Sequence, residues 1–274
     1  MIIAEIIGYI GALFIGLSMG MMGGGGSILS VPIFAYLFGF DEKVATAYSL
    51  FVVGTTAFVG GVRKIFSDSV SFKCVWMFGL PAIVGVLVMR RFVMPALPEE
   101  LFHIGDFEFT RRMLVFSLFS FLMFLSSYSI LFKTTNHFEN SKNESPKFHP
   151  LILTEGLFTG IFMGLIGAGG GFLIVPALMF IAKLPIKSAV ATSLVIVCMN
   201  SLVGFFLGDF IHLHIDWTFL LSFVSISLVG IVIGGSLAVY VKSQILKKYF
   251  AYFTLGMAIF VIFMEFFVIH ADIF

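Results

Sequence analysis

The chain has 274 residues, of which 59% are hydrophobic and 11% are charged, and its formal net charge is +1. Its mean hydropathy is +1.10, whereas a water-soluble domain usually carries about 25% charged residues. These values exclude a water-soluble globular protein and indicate an integral membrane protein that crosses the bilayer several times. A net charge so close to zero gives no indication of a nucleic-acid partner.

The predicted membrane segments fall into two groups of four. Apolar blocks cover residues 2–40, 44–62, 72–89, 113–132, 151–182, 188–208, 217–241 and 249–269. No basic region precedes the first block and no small-residue cleavage site follows it, so we expect it to be a retained span rather than a signal peptide.

Polar stretches divide the chain further. Residues 133–149 separate the two groups and are predicted to be a linker between a first transmembrane repeat, residues 1–132, and a second, residues 150–274. The hydrophilic connection from Arg90 to Arg112 is predicted to be a loop with partial order.

The two halves are copies of one unit. The segment from Met19 to Pro32 returns as Met163 to Pro176, at an offset of 144 residues. Further identities continue at that offset without a gap, among them Leu13 with Leu157, Gly16 with Gly160, Lys43 with Lys187, Leu50 with Leu194 and Gly60 with Gly204. Identity at this density predicts two repeats of one structural unit.

Each copy carries a run of glycines inside its first apolar block, Gly23–Gly26 and Gly167–Gly171. As one helix, the first block would be ~58 Å long against a hydrocarbon core of ~30 Å. We therefore expect each run to separate a near-spanning helix from a shorter arm, residues 27–38 or 172–181. The predicted fold class is all-α integral membrane, with about eight to ten membrane segments.

The behaviour of the arms decides the topology. Arms that re-enter make the two halves parallel, and arms that cross make them inverted. The distribution of Lys and Arg favours termini on the outer side in both arrangements.

The glycine runs are candidates for binding an anion. A helix that starts inside the membrane leaves its first amides unpaired, and its dipole places positive charge there. Glycine also allows a ligand to approach the backbone closely. Tight helix packing is the alternative, but it predicts glycines at every fourth position of a continuous helix. A dinucleotide-binding turn is disfavoured because neither the spacing nor a strand-helix pattern fits. We expect the runs to be non-helical and to face each other.

The helix after each arm is unusually polar for its depth. Its hydroxyls and amide are neutral donors suited to an oxyanion, although Ser and Thr also bond within or between helices. Ser49 and Ser193 occupy the same repeat position and are therefore expected to point into one cavity. The predicted substrate-binding residues are Gly23, Gly24, Gly25, Gly26, Ser27, Ser49, Gly167, Ala168, Gly169, Gly170, Gly171, Thr192, Ser193 and Asn200.

Metal binding and catalysis have little support. His212 and His214 lie between carboxylates and could ligate a metal, but the corresponding place in the first half has no histidine. Cys74 and Cys198 lie in apolar segments at positions that do not correspond, which favours inert apolar side chains over a disulfide or metal pair. No metal, cofactor or catalytic residue is predicted.

Four segments together resemble the TauE/SafE family of sulfite exporters. They are the glycine clusters that lead to Val-Pro, Gly23–Pro32 and Gly167–Pro176, and the motifs that follow, Ala45–Leu50 and Ala189–Leu194. The resemblance extends over both repeats, with Tyr48 and Gly24 departing from the commoner pattern. It implies a multi-pass transporter of the cell (inner or plasma) membrane, with a small sulfur- or carboxyl-containing anion as substrate.

The sequence and the resemblance together predict export of a small anion, sulfite or an organosulfonate, by alternating access between the repeats. An interior-negative potential favours anion exit by ~2.3 kcal/mol per charge per 100 mV, so export needs no dedicated proton relay. One alternative is an anion channel with the same site. Another is an intramembrane metal-dependent enzyme that uses the loop of His212 and His214.

Overall fold

The computed structural model describes residues 2–66, 70–104, 107–132, 150–211 and 213–268, and these are almost entirely helical. The α-helices are α1 (Ile2–Met22), α2 (Ser30–Pro32), α3 (Glu42–Ile65), α4 (Phe72–Val88), α5 (Met94–Ala96), α6 (Arg111–Phe132), α7 (Pro150–Ile166), α8 (Gly171–Phe180), α9 (Ile186–Gly204), α10 (Trp217–Tyr240) and α11 (Ser243–Phe263). Short 3-10 or π segments extend several of them, at Gly23–Leu29, Ile33–Leu37, Met89–Val93, Phe205–Asp209 and Met264–Val268. The predicted linker, residues 133–149, lies outside the described residues.

Seven segments of the described chain are long and apolar enough to cross a membrane. They are Glu5–Leu37, Glu42–Ile65, Phe72–Ala96, Arg111–Phe132, Ile186–Asp209, Trp217–Tyr240 and Gln244–Phe267. Two further apolar helices, Leu151–Ile166 and Gly171–Phe180, are shorter. The prediction of an all-α, multi-pass membrane protein is confirmed.

The connection between α4 and α6 differs from the predicted loop. The helix continues through Met89–Val93 to Ala96, so Arg90 lies within a membrane-spanning segment. The chain then forms an antiparallel hairpin of β1 (Glu100–Ile104) and β2 (Phe107–Thr110) before α6 begins. Because a continuous helix satisfies its own backbone groups, this path is favourable where a loop inside the membrane is not.

Two tight helix pairs each join the two halves of the sequence. Helix α1 packs on α10, where a Cβ on Gly20 would lie 2.5 Å from the Gly235 nitrogen. Helix α7 packs on α4, where a Cβ on Gly85 would lie 2.7 Å from the Leu157 oxygen. Helix backbones that approach each other this closely are typical of membrane helices with small residues spaced by four. Gly20 and Gly85 therefore serve helix packing.

The centre of the molecule is formed by α3 and α9, which pack on each other. These are the two most buried of the seven spans. Both are the second helix of their half, and both also contact the glycine run that follows α1. The broken helices and the polar residues of α3 and α9 are therefore brought to the same central region.

Candidate functional site

Both glycine runs end the helix that precedes them, but in different ways. After α1, Gly23 has a φ of +72°, and Gly23–Leu29 winds as a 3-10 helix. After α7, residues 167–170 form no regular helix before α8 begins. The expectation of a non-helical run is therefore wrong for the first copy, because 3-10 winding is a low-cost connector at a helix end that satisfies part of its backbone.

Three glycines of the second run adopt a conformation that side chains disfavour. Gly167, Gly169 and Gly170 have φ values of +73°, +66° and +59°. In this left-handed region a residue with a Cβ is strained. The backbone can take this path between α7 and α8 because these positions are glycine.

The two runs meet. The 3-10 segment Gly23–Leu29 packs on α8, and a Cβ on Gly24 would lie 2.9 Å from the Cα of Gly171. In the reverse direction, a Cβ on Gly171 would overlap the Gly24 backbone. The close contact between the broken helices is therefore one of backbone against backbone.

Equivalent glycines also contact equivalent positions of the opposite half. Gly23 lies against Val190 of α9, where its Cβ would be 2.6 Å from the Val190 oxygen. Gly167 lies against Thr46 of α3, where its Cβ would be 2.9 Å from the Thr46 Cα. Gly23 and Gly167 are separated by the repeat offset, and so are Thr46 and Val190. Each glycine run is thus placed against the central helix, α3 or α9, of the other half of the chain.

The equivalent serines both hold the first run and its arm. Ser193 Oγ donates to the Val190 carbonyl at 2.9 Å and accepts from the Gly24 amide at 3.2 Å. Ser30 Oγ donates to the Ser27 carbonyl at 2.6 Å and lies 2.6 Å from Ser49 Oγ, so Ser49 donates to Ser30. Both hydroxyls have partners within the protein, and their contact with a substrate stays a prediction.

The rest of the first run is closely packed by side chains and backbone. A Cβ on Gly25 would overlap the ring of Phe250, and one on Gly26 would overlap the backbone of α1 at Met19. Packing therefore explains these two glycines, as the alternative interpretation of the sequence proposed.

Backbone N–H groups of the second run are available to a further acceptor. The Gly167 amide donates to the Met163 carbonyl at 2.9 Å, but the buried amides of Ala168, Gly169 and Gly170 find no acceptor within the described residues. These three N–H groups precede α8, whose dipole makes its N-terminus positive. The arrangement is suited to an acceptor atom and favours a negatively charged one.

Two side chains of α9 next to the second run also have free polar atoms. Ser201 Oγ lies 3.2 Å from the position of a Cβ on Gly169, and it has no partner within the described chain. Asn200 approaches the Met163 sulfur at 3.7 Å through Nδ2, while its Oδ1 is likewise without a partner there. The prediction included Asn200 but missed Ser201, although both lie on the polar stretch of α9.

Thr192 and Ser27 are less clearly placed for a ligand. Thr192 Oγ1 accepts from the Ser71 amide at 3.0 Å, at the start of α4. Ser27 Oγ is fully buried and has no partner in the described part of the chain. Of these two predicted residues, Ser27 is the one with an unused hydroxyl.

A buried arginine that was assigned to a loop also reaches the second run. The side chain of Arg90 is 1% exposed, and a Cβ on Gly167 would overlap its Nη2. Its Nη1 donates to Thr46 Oγ1 at 3.1 Å and to Asp209 Oδ2 at 3.0 Å. Its Nε and Nη2 have no partner within the described residues. An arginine at the end of a long apolar block was the available signal, since ionisable residues at membrane depth usually serve function.

The loop proposed for metal binding has other contacts. Asp209 pairs with Arg90, and the side chain of Asp216 accepts from the Phe219 amide at 3.1 Å at the start of α10. His212 lies outside the described residues. Among the residues that are described, no group of three or more His, Cys, Asp or Glu could hold a metal ion.

Comparison with known proteins agrees with this architecture. Residues 8–261 match the family model described as sulfite exporter TauE/SafE. A "Probable membrane transporter protein" of Xylella fastidiosa (strain 9a5c) is 28% identical over 264 residues, which are 90% of this chain and 91% of that protein. One of Methanocaldococcus jannaschii is 39% identical over 117 residues, 40% of this chain and 43% of that protein.

A further relative with the same description, from Bacillus subtilis (strain 168), is 26% identical over 251 residues, 83% of this chain and 85% of that protein. No solved structure matches. The family model covers most of the chain, and the fold is that of a multi-pass membrane protein. This chain is therefore a membrane transporter that belongs to the sulfite exporter TauE/SafE family.

Proposed function

We propose that this transporter exports a small anion, sulfite or an organosulfonate, and binds it at the second glycine run. The observation that carries the proposal is the set of three buried amides, at Ala168, Gly169 and Gly170, without acceptors in the described chain. A buried donor left unpaired costs about 1–3 kcal/mol. An anion that accepts from these amides removes that cost and is stabilised by the dipole of α8.

The two runs have different roles in this proposal. The first run is wound as a 3-10 helix, held by Ser193 and packed around Gly25. The first run packs against the second run. The second run supplies the amides, and Ser201 supplies a free hydroxyl beside Gly169. Neutral donors of this kind bind an oxyanion without the tight retention that would prevent its release.

Alternating access requires parts that move against each other. The pairs α1 with α10 and α4 with α7 have backbone contacts too close for sliding, so each pair moves as one body. A pocket of about 360 Å³ opens between α6, α7 and α8, beside the second arm. Both arms are tied to neighbouring helices: Tyr36 donates to Glu265 Oε2 at 3.2 Å, and Ser126 of α6 donates to the Phe172 carbonyl of α8 at 2.7 Å. We infer that these paired bodies move against each other during transport.

The experiment uses the purified chain in liposomes loaded with radiolabelled sulfite. With an interior-negative potential, we expect efflux that saturates with sulfite and that unlabelled sulfite on the opposite side accelerates by counterflow. Efflux that rises linearly, without counterflow, would instead identify an anion channel with the same site. Absence of flux for sulfite, sulfoacetate and acetate would contradict the proposal.

A further inference from the structure

We propose that Arg90 is a substrate-binding residue, and that its Nε and Nη2 bind two oxygens of one oxyanion. This inference rests on the proposed anion transport and extends it, because it predicts which anions are accepted. Arg90 lies on the π segment Met89–Val93, outside every residue predicted from the sequence to bind substrate.

The hydrogen bonds of Arg90 leave one edge of the guanidinium open. Nη1 is occupied by Thr46 Oγ1 and by both carboxylate oxygens of Asp209, at 3.0 and 3.2 Å. Nε and Nη2 have no partner in the part of the chain that the structure describes. The guanidinium is planar, so these two groups present roughly parallel N–H bonds along one edge. That edge is the one that forms bidentate contacts with oxyanions.

Packing holds this edge against the second glycine run. A Cβ on Gly167 would overlap Nη2, and a Cβ on Gly208 would lie 2.6 Å from the Cβ of Arg90. The head of the side chain therefore lies over Gly167, next to the free amides, and its stem is fixed against the π segment Phe205–Asp209. The side chain is 1% exposed, so its two free donors lie in a buried space.

Charge compensation by Asp209 allows such a site to release its ligand. Arg90 and Asp209 carry opposite charges and lie 3.0 Å apart, with side chains that are 1% and 11% exposed, so their charges compensate each other. A bound anion therefore faces hydrogen-bond donors and a compensated cation rather than an isolated charge.

The chemistry of the open edge selects one class of anion. Sulfite, sulfonates and carboxylates have at least two oxygens on one atom and can accept from both N–H groups together. Chloride has a single centre and loses this paired geometry. The inference thus predicts preference for oxyanions over halides, set by the shape of the guanidinium as well as by its charge.

The test compares Arg90→Lys, Asp209→Asn and a matched control, Arg91→Lys, in the liposome efflux assay. Arg91 lies on the same π segment, but its exposed side chain donates to the Leu207 carbonyl. For each variant the KM and maximal rate for sulfite are measured, together with inhibition by acetate and by chloride. Thermal unfolding of the purified variants shows whether each is folded.

Arg90→Lys keeps the charge and removes the paired donors, so we expect the KM for sulfite to rise at least about tenfold. The preference of acetate over chloride as inhibitor should fall with it, while Arg91→Lys stays at the wild-type value. Asp209→Asn leaves the cation uncompensated and should lower the KM. This second variant tests the inference independently if Arg90→Lys does not fold.

An unchanged KM and unchanged anion preference in Arg90→Lys would overturn the role of Arg90 while leaving the proposed transport intact. A KM that rises in Asp209→Asn would also count against it, because a purely structural ion pair is weakened in either variant. If wild-type protein shows neither flux nor inhibition with any of these anions, the proposed function itself fails.

Discussion

Replacement of Gly171 by alanine tests the contact between the two glycine runs. A Cβ on Gly171 would overlap three backbone atoms of Gly24, which cannot rotate away as a side chain can. Gly171 is the first residue of α8, and its φ is outside the positive range. The variant therefore combines the helix-forming advantage of alanine, up to about 1 kcal/mol, with a steric penalty of about 1–3 kcal/mol or more.

Gly256 provides a matched control. It lies within helix α11, and a Cβ there would meet no atom within 4 Å. Gly256→Ala should therefore gain roughly 0.5–1 kcal/mol, without a steric penalty. Because the Gly24 contact is with backbone, we take the upper end of the steric penalty, about 3 kcal/mol, so Gly171→Ala should lose about 2 kcal/mol net.

The assay is thermal unfolding of both variants in one detergent and at one scan rate, since unfolding of this kind can be irreversible. One kcal/mol corresponds to roughly 2–4 °C for a chain of this size class. We expect Gly171→Ala to melt roughly 4–8 °C below wild type and to lose sulfite efflux, and Gly256→Ala to melt at or above wild type. If the two variants melt alike and both transport, the contact between the runs is refuted.

Two further predictions concern polar groups. Ser201→Ala should weaken sulfite binding roughly 2- to 10-fold, measured by ligand-dependent thermal stabilisation, because it removes one free donor. Ser225→Ala, whose hydroxyl bonds to its own helix at 2.8 Å, should leave the stabilisation unchanged. Glu42→Gln should lower the unfolding free energy by about 3–5 kcal/mol, because it leaves buried Arg111 unpaired. By comparison, Glu99→Gln breaks an exposed pair with Lys43 and should cost at most about 1 kcal/mol.

Composition and apolar block lengths predicted the fold class. A chain with so few charged residues exposes a large apolar surface, which a lipid bilayer covers and water does not. The constant offset between Gly23 and Gly167 also located the breaks after α1 and α7 correctly. The antiparallel hairpin of Glu100–Ile104 and Phe107–Thr110 was missed. Its strands are short and follow a pair of arginines. The hydropathy pattern therefore predicted a polar loop at this place.

The candidate site was predicted in part, because the repeat makes the two runs look alike. The two glycine runs were predicted to face each other, and they meet where the backbones of Gly24 and Gly171 are in contact. The two runs differ because their tertiary partners differ. Ser193 accepts a hydrogen bond from the Gly24 amide of the first run, whereas the equivalent Ser49 hydrogen-bonds to Ser30 of the first arm, in its own half of the chain. A pattern that repeats along the chain does not show which tertiary contacts each of its two copies makes.

The contacts of Arg90 likewise could not be predicted from local sequence patterns. Its partner Asp209 lies 119 residues away, and the neutralising contact exists only after the π segments of the two halves pack together. Taken alone, two consecutive arginines are the ordinary end of a membrane span. Only the folded arrangement shows one of them buried, with half of its guanidinium unused.

The position of a bound oxyanion shows directly whether the second glycine run binds the substrate. Selenite is the probe, because it has the shape of sulfite and its selenium can be located by anomalous scattering in crystals of the wild-type protein. We expect a selenium peak within hydrogen-bonding range of the amides of Ala168, Gly169 and Gly170. A peak at the first run or at the protein surface, or none at selenite concentrations that stabilise the protein against heat, would contradict it.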